Sequence, residues 1–223
     1  MMHPKISVAG VMVCAFLSGP GPATAAEAKQ TNMSFFVTSA GPGKGADLGG
    51  LEGADAHCAS LAKAAGSTKP NWRAYLSTTA PNGDAGVNAR ERIGKGLWRN
   101  AKGVVIARNV EHLHSKANNI TKQTALTEKG EIISGRGDPV NMHDMLTGSD
   151  PAGNYSTAGG DTTCGNWSSS GEGSAIVGHN DRRGLKDTRH MTSWNSSHGT
   201  KACGPDALVS TGGAGLFYCF ADH

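Results

Sequence analysis

The chain has 223 residues and a formal net charge of +3, and setting Lys5 of the leading segment aside leaves +2. That is too weak a basic balance to indicate a nucleic-acid partner. Glycine is abundant at 32 residues and is spread among apolar segments, while aromatics make up only 5%. Such a composition predicts a loop-rich folded chain with many turns and excludes a low-complexity, disordered one.

The first residues read as a secretory signal peptide, 1–26. Lys5 supplies the positive start and Ile6 to Leu17 a mostly apolar run too short to span a bilayer. Gly19, Pro20, Gly21 and Pro22 break it, and the small residues Ala23 to Ala26 follow, with cleavage expected after Ala25 or Ala26. Cys14 lies inside the apolar run without a lipobox. No later run reaches the length of a transmembrane helix, so the mature chain is expected to be secreted or periplasmic. Residues 27–33 form a polar leader, and 34–223 are expected to make one domain.

Within that domain, Ser34 to Ser39 has the aromatic and β-branched content of a strand. Gly41 to Gly50 is a glycine-rich loop. The alanine-rich stretch Asp55 to Ala65 predicts a helix, with Gly53 before it and Gly66 ending it. Trp72 to Thr78 alternates as a strand does. Asn88 to Ile93 is a short helix candidate with Asn88 as N-cap. Gly103 to Ala107 and Ile132–Ile133 predict short strands, and Arg108 to Gln123 a polar loop. From Gly135 to Gly215 the chain is dominated by Gly, Ser, Thr, Asn and Asp. Its apolar islands are Trp167, Ala175 to Val177, Trp194 and, just beyond, Leu216 to Phe220. Short strands joined by long irregular loops are expected there.

Of five cysteines, four lie beyond the signal peptide: Cys58, Cys164, Cys203 and Cys219. In an oxidising compartment they predict two disulfides, with three possible pairings. No C-x-x-C spacing is present, which argues against a zinc ribbon or a thioredoxin-like centre. His112, His114, His143, His179, His190 and His198 raise the question of zinc. The chain has no H-E-x-x-H, however, and its His-x-His pair stands alone. No G-x-S-x-G occurs, and disulfide formation would consume every mature thiol, so an enzyme is not expected. Arg136-Gly137-Asp138 spells an adhesion tripeptide that a Gly-rich loop explains equally well.

Five motifs in order resemble endostatin, the C-terminal domain of certain collagens. They are Gly53-Ala54-Asp55 leading to Cys58, Arg73-Ala74-Tyr75-Leu76-Ser77, Gly148-Ser149-Asp150-Pro151-Ala152-Gly153, Cys164-Gly165-Asn166-Trp167, and Phe217-Tyr218-Cys219. The match runs from about Phe35 to Ala221, and the chain also resembles small exported bacterial proteins labelled as lectins. The resemblance implies an α+β, C-type-lectin-like fold with two short helices, short strands and a loop-rich second lobe. It also implies nested disulfides, Cys58–Cys219 and Cys164–Cys203. In the chain-entropy model these would contribute on the order of 5 and 4 kcal/mol.

Trp194-Asn195 resembles the Trp-Asn-Asp element with which C-type lectins hold Ca²⁺ and sugar, although Ser196 stands third and no Glu-Pro-Asn or Gln-Pro-Asp partner is present. Calcium is therefore kept only as a candidate cofactor. The resemblance leads to a non-enzymatic, carbohydrate-binding reading. Asp150, Asn154, Asp181, Asn195 and Ser197 would offer hydrogen bonds, and Trp194 an apolar face. Asp150 and Asn154 also suit a tight turn, and Trp194 a core position. Arg182, Arg183, Lys186 and Arg189, with Lys201, form a candidate patch for an anionic glycan. The partner would be a glycan or a cell-envelope or host surface molecule. Rival readings are a protein-interaction or adhesion module without sugar affinity and, third, a zinc-dependent hydrolase.

Overall fold

The computed structural model describes residues 1–2, 32–79 and 86–222. The signal-peptide reading and nearly all of the polar leader fall outside these residues. In chain order the elements are β1 (Phe35–Val37), α1 (Gly50–Ala64), β2 (Trp72–Ala74), α2 (Ala89–Arg92), β3 (Trp98–Arg99) and β4 (Val105–Ala107). Then come α3 (Val110–Leu113), β5 (Asp144–Leu146), β6 (Ile176–His179), β7 (His198–Gly199), α4 (Pro205–Thr211) and β8 (Gly213–Ala221). Cys164–Trp167 forms a single helical turn in which every residue has positive φ. The architecture is thus α+β, with few and mostly short helices and several strands.

β8 is the hub. β1 and β2 pair with it antiparallel, β5 parallel, and β6 and β7 continue the sheet outward from β5. Its side chains alternate between two cores, which is why nearly the whole strand is buried. On one face Phe217, Cys219 and Ala221 pack with Phe36, Trp72 and the α1 residues Ala54, Cys58 and Ala62. On the other, Leu216, Tyr218 and Phe220 pack with Phe35, Tyr75, Trp98, Ile106 and Leu113. The spacing of Ala54, Cys58 and Ala62 is that of one helix face, so α1 lies flat on the sheet.

Both disulfides are present and nested. Cys58–Cys219 ties α1 to β8, and Cys164–Cys203 ties the left-handed turn to the segment before α4. Among the described residues, no helix is long and apolar enough to cross a membrane.

Several boundaries differ from the sequence reading. α1 begins five residues before the expected Asp55, so Gly53 lies within its first turns. Glycine's poor helix propensity hid the start, yet a Cβ at Gly53 would stand 2.2 Å from the Leu48 carbonyl oxygen. The end is as expected: the Gly66 N–H reaches the Lys63 carbonyl and the Ser67 N–H the Ala62 carbonyl, a Schellman pair with Gly66 at φ 79°. The segment read as polar loop contains α3, capped by Asn109, whose side chain accepts from the His112 N–H at 2.8 Å. Ile132 makes only an isolated bridge with Leu126. α4 was not expected, although Pro205 opens it and left-handed Gly212 closes it.

Candidate functional site

Two features sit on the outer part of the sheet and the loops above it. The first is a cleft of about 580 Å³ between the 182–195 loop and the 114–116 segment. Its walls carry three cations, Lys116, Arg182 and Arg189, and one carboxylate, Asp187. Thr188, Thr192, Ser193 and Ser115 add hydroxyls, and Trp194 and Pro151 add apolar edges. None of the three cations forms an ion pair among the described residues. Arg182 is fixed by its guanidinium bond to the Asn118 side-chain oxygen and holds a left-handed φ of 53°. Lys116 and Arg189 are exposed.

The cleft floor is rigid. Trp194 is 4% exposed and packs against Tyr75, Tyr218 and His114. Asn195 is buried beneath it. Its amide donates to the Tyr75 hydroxyl at 3.0 Å and the Asp150 carbonyl at 3.1 Å, and its oxygen accepts from the Ser193 hydroxyl. The donors of Asn195 are therefore committed to joining the 149–151 turn, β2 and the loop. The Asp150 carboxylate accepts from the backbone and side-chain N–H groups of Asn154, closing its own turn. Asp181 accepts from the backbone N–H groups of Arg136 and Arg183, both under 3.0 Å.

The second feature is a buried cluster of imidazoles around one carboxylate. Strand register builds it. Asp144 of β5 lies opposite His179 of β6, and His198 of β7 lies opposite Val177, so His179 and His198 project from the same face. A bulge after Asp144 alters the β5–β8 register there. Three Nε2 atoms converge on Asp144 Oδ1, from His179 at 3.2 Å, His143 at 3.3 Å and His198 at 3.6 Å. The His143 and His179 rings stack at 4.1 Å between centroids. None of the three approaches has the alignment of a hydrogen bond, and both Asp144 oxygens and His179 Nε2 are buried without one.

The outward nitrogens do have partners. His143 Nδ1 meets Asp181 Oδ1 at 2.9 Å, His179 Nδ1 the Met191 carbonyl at 2.8 Å, and His198 Nδ1 the Gly199 carbonyl at 3.1 Å. Contact with Asp144 raises the His198 pKa, against its partial burial. Among the described residues, His143, Asp144 and His179 are the one group of three His, Cys, Asp or Glu side chains close enough to hold a metal ion.

No protein-family model matches this chain, and a search among curated proteins finds no match. The site must be read from its own geometry.

Of the residues singled out from the sequence, Arg182, Arg189, Trp194 and Asn195 line the cleft. Asp150 and Asn154 form the turn beside it, and Ser197 continues the chain beyond its wall, with its N–H on the Val177 carbonyl. Arg183 and Lys186 are exposed on the same loop but do not line the cleft, and Asp181 belongs to the imidazole cluster. Among the described residues, neither Asp150 nor Asp181 belongs to a group of three His, Cys, Asp or Glu side chains close enough to hold a metal ion. Lys116, Ser193 and Asp144 were not foreseen. Asp144 opens β5 directly after His143, and only strand register brings it to His179.

Proposed function

We propose that this chain is an exported, lectin-like carbohydrate-binding protein whose cleft takes an anionic saccharide, such as a uronic-acid or sulfated oligomer. The observation that carries the reading is the cleft itself, where three cations face one carboxylate among a row of hydroxyls. A carboxylated or sulfated sugar would meet the charges, and its hydroxyls would meet Ser193, Thr192 and Thr188. The α+β architecture with nested disulfides is compatible with the C-type-lectin-like, endostatin-like fold that the five motifs imply. The disulfides fit an oxidising compartment outside the cytoplasm. Recognition runs through the side chains of the cleft walls, because the Asn195 donors are committed to the fold.

Calorimetric titration with acidic and neutral oligosaccharides tests the reading. An acidic oligomer should bind, with affinity falling as salt rises. The double substitution Lys116→Ser and Arg189→Ser, at exposed positions, should weaken it by about tenfold or more. Absence of binding to any saccharide would sink the proposal. Capture of an envelope protein that acidic sugars do not displace would instead favour the interaction-module reading.

A further inference from the structure

We propose that His143, Asp144 and His179 form a zinc site that pins the outer sheet beneath the cleft. The separations fit one ion. In tetrahedral coordination at 2.0–2.1 Å, neighbouring ligand atoms lie about 3.3 Å apart. Asp144 Oδ1 lies 3.3 Å from His143 Nε2 and 3.2 Å from His179 Nε2, and the ligand atoms of the three residues all lie within 4.8 Å of one another.

The electronic arrangement fits equally. Asp181 and the Met191 carbonyl are acceptors, so His143 and His179 place their protons on Nδ1. Their Nε2 lone pairs then face Asp144 Oδ1. Three acceptor atoms meeting in a buried volume suit a cation, and acceptors behind the rings are the usual outer support of metal-bound histidine. Asp144 and His179 bring polar atoms buried and unpartnered into the same point.

The donor set names the metal. Two imidazoles and one carboxylate suit zinc, whereas calcium and magnesium want mainly oxygen, and no sulfur is present to favour monovalent copper. Three protein ligands leave the fourth position of a tetrahedral zinc to water. His198, whose side chain is 27% exposed, marks the side from which the ion enters. The ion would join β5 and β6, on which the 180–197 loop and the cleft wall rest.

Untagged, disulfide-bonded protein is stripped with a chelator and titrated with zinc, with calcium and magnesium in parallel. Elemental analysis gives the stoichiometry, cobalt substitution the geometry, and thermal unfolding the stabilisation. The expected result is one zinc per chain, a tetrahedral cobalt spectrum, and an unfolding temperature raised by zinc alone. Asp181→Asn should weaken zinc by roughly 10–100-fold, and loss of a ligand in Asp144→Asn or His143→Ala by more. His143→Ala carries the test if Asp144→Asn does not fold. Protein that takes up no zinc overturns the proposal. So does His143→Ala that binds zinc as well as the parent, which would place the ion on surface histidines such as His112 or His190.

Discussion

Tyr75 stands in a directed line of hydrogen bonds that sets the state of His114 beside the cleft. The Asn195 amide donates to the Tyr75 oxygen, the Tyr75 hydroxyl lies 2.8 Å from His114 Nε2, and His114 Nδ1 lies 2.7 Å from the Val110 carbonyl. A neutral imidazole protonated on Nδ1 satisfies all three, with Tyr75 donating to Nε2. Burial lowers the His114 pKa below its ordinary 6.5, with nearby Arg90 acting the same way and Val110, Asp150 and Glu111 opposing. In the unfolded chain the same residue takes a proton at about 6.5. The unfolded state therefore binds more protons between the two values, and this residue's contribution to stability falls as pH drops from 6.5 towards the folded value, then levels off. His198 changes in the opposite sense, since its raised value gives stability that is lost as pH rises. Comparing urea unfolding of the parent with His114→Gln separates the two. The stability gap should narrow as the pH is taken below 6.5, and a gap constant across that range would refute the assignment.

Elements differ in how plainly the chain announces them. β1, α1 and β2 are legible because they carry strong local patterns: paired phenylalanines, an alanine-rich face with a terminal glycine, and an alternating Trp-Arg-Ala-Tyr. β5 and β7 are not, because Asp-Met-Leu and His-Gly have no strand signature and owe their conformation to neighbours. The imidazole cluster was hidden for the same reason. Its members come from three strands and a preceding residue, so their closeness is a product of register and not of spacing along the chain. The cysteine count was legible and the pairing was not, since only the resemblance chose among the three possibilities. Gly178 shows how tightly this region is built. A Cβ there would lie 1.9 Å from the Trp194 carbonyl oxygen and 2.4 Å from the Asn195 Cα, both backbone atoms that no rotamer change can move. The same loop is stitched to β6 by the His179 N–H on the Ser193 carbonyl and the Ser197 N–H on the Val177 carbonyl. Gly178→Ala should lift the loop, costing about 1–3 kcal/mol in urea unfolding. It should also weaken zinc and acidic-saccharide binding together, and loss of neither would show that the loop is not the shared support.

Across the whole molecule, the two cross-links bear on different parts. Cys58–Cys219 bridges α1 and the hub strand across a sequence separation of 161, and Cys164–Cys203 encloses the outer lobe across a separation of 39. Replacing Cys164 and Cys203 together by Ala should lower stability by about 4 kcal/mol in reversible unfolding under non-reducing conditions. Loss of less than about 1 kcal/mol would mean that the lobe is held by other contacts. The position of β8 in the chain has a consequence for how the molecule comes into being. β1 and β2 have β8 as their strand partner, and the ribosome makes it after both, so neither can find it while the polypeptide is still growing, whereas β5 can meet β6 earlier. The centre of the sheet closes late and from distant pieces, a route that is slow and leaves sticky segments bare in the meantime. A chain of this design gains from being handed over unfolded and assembled only once its last strand has arrived.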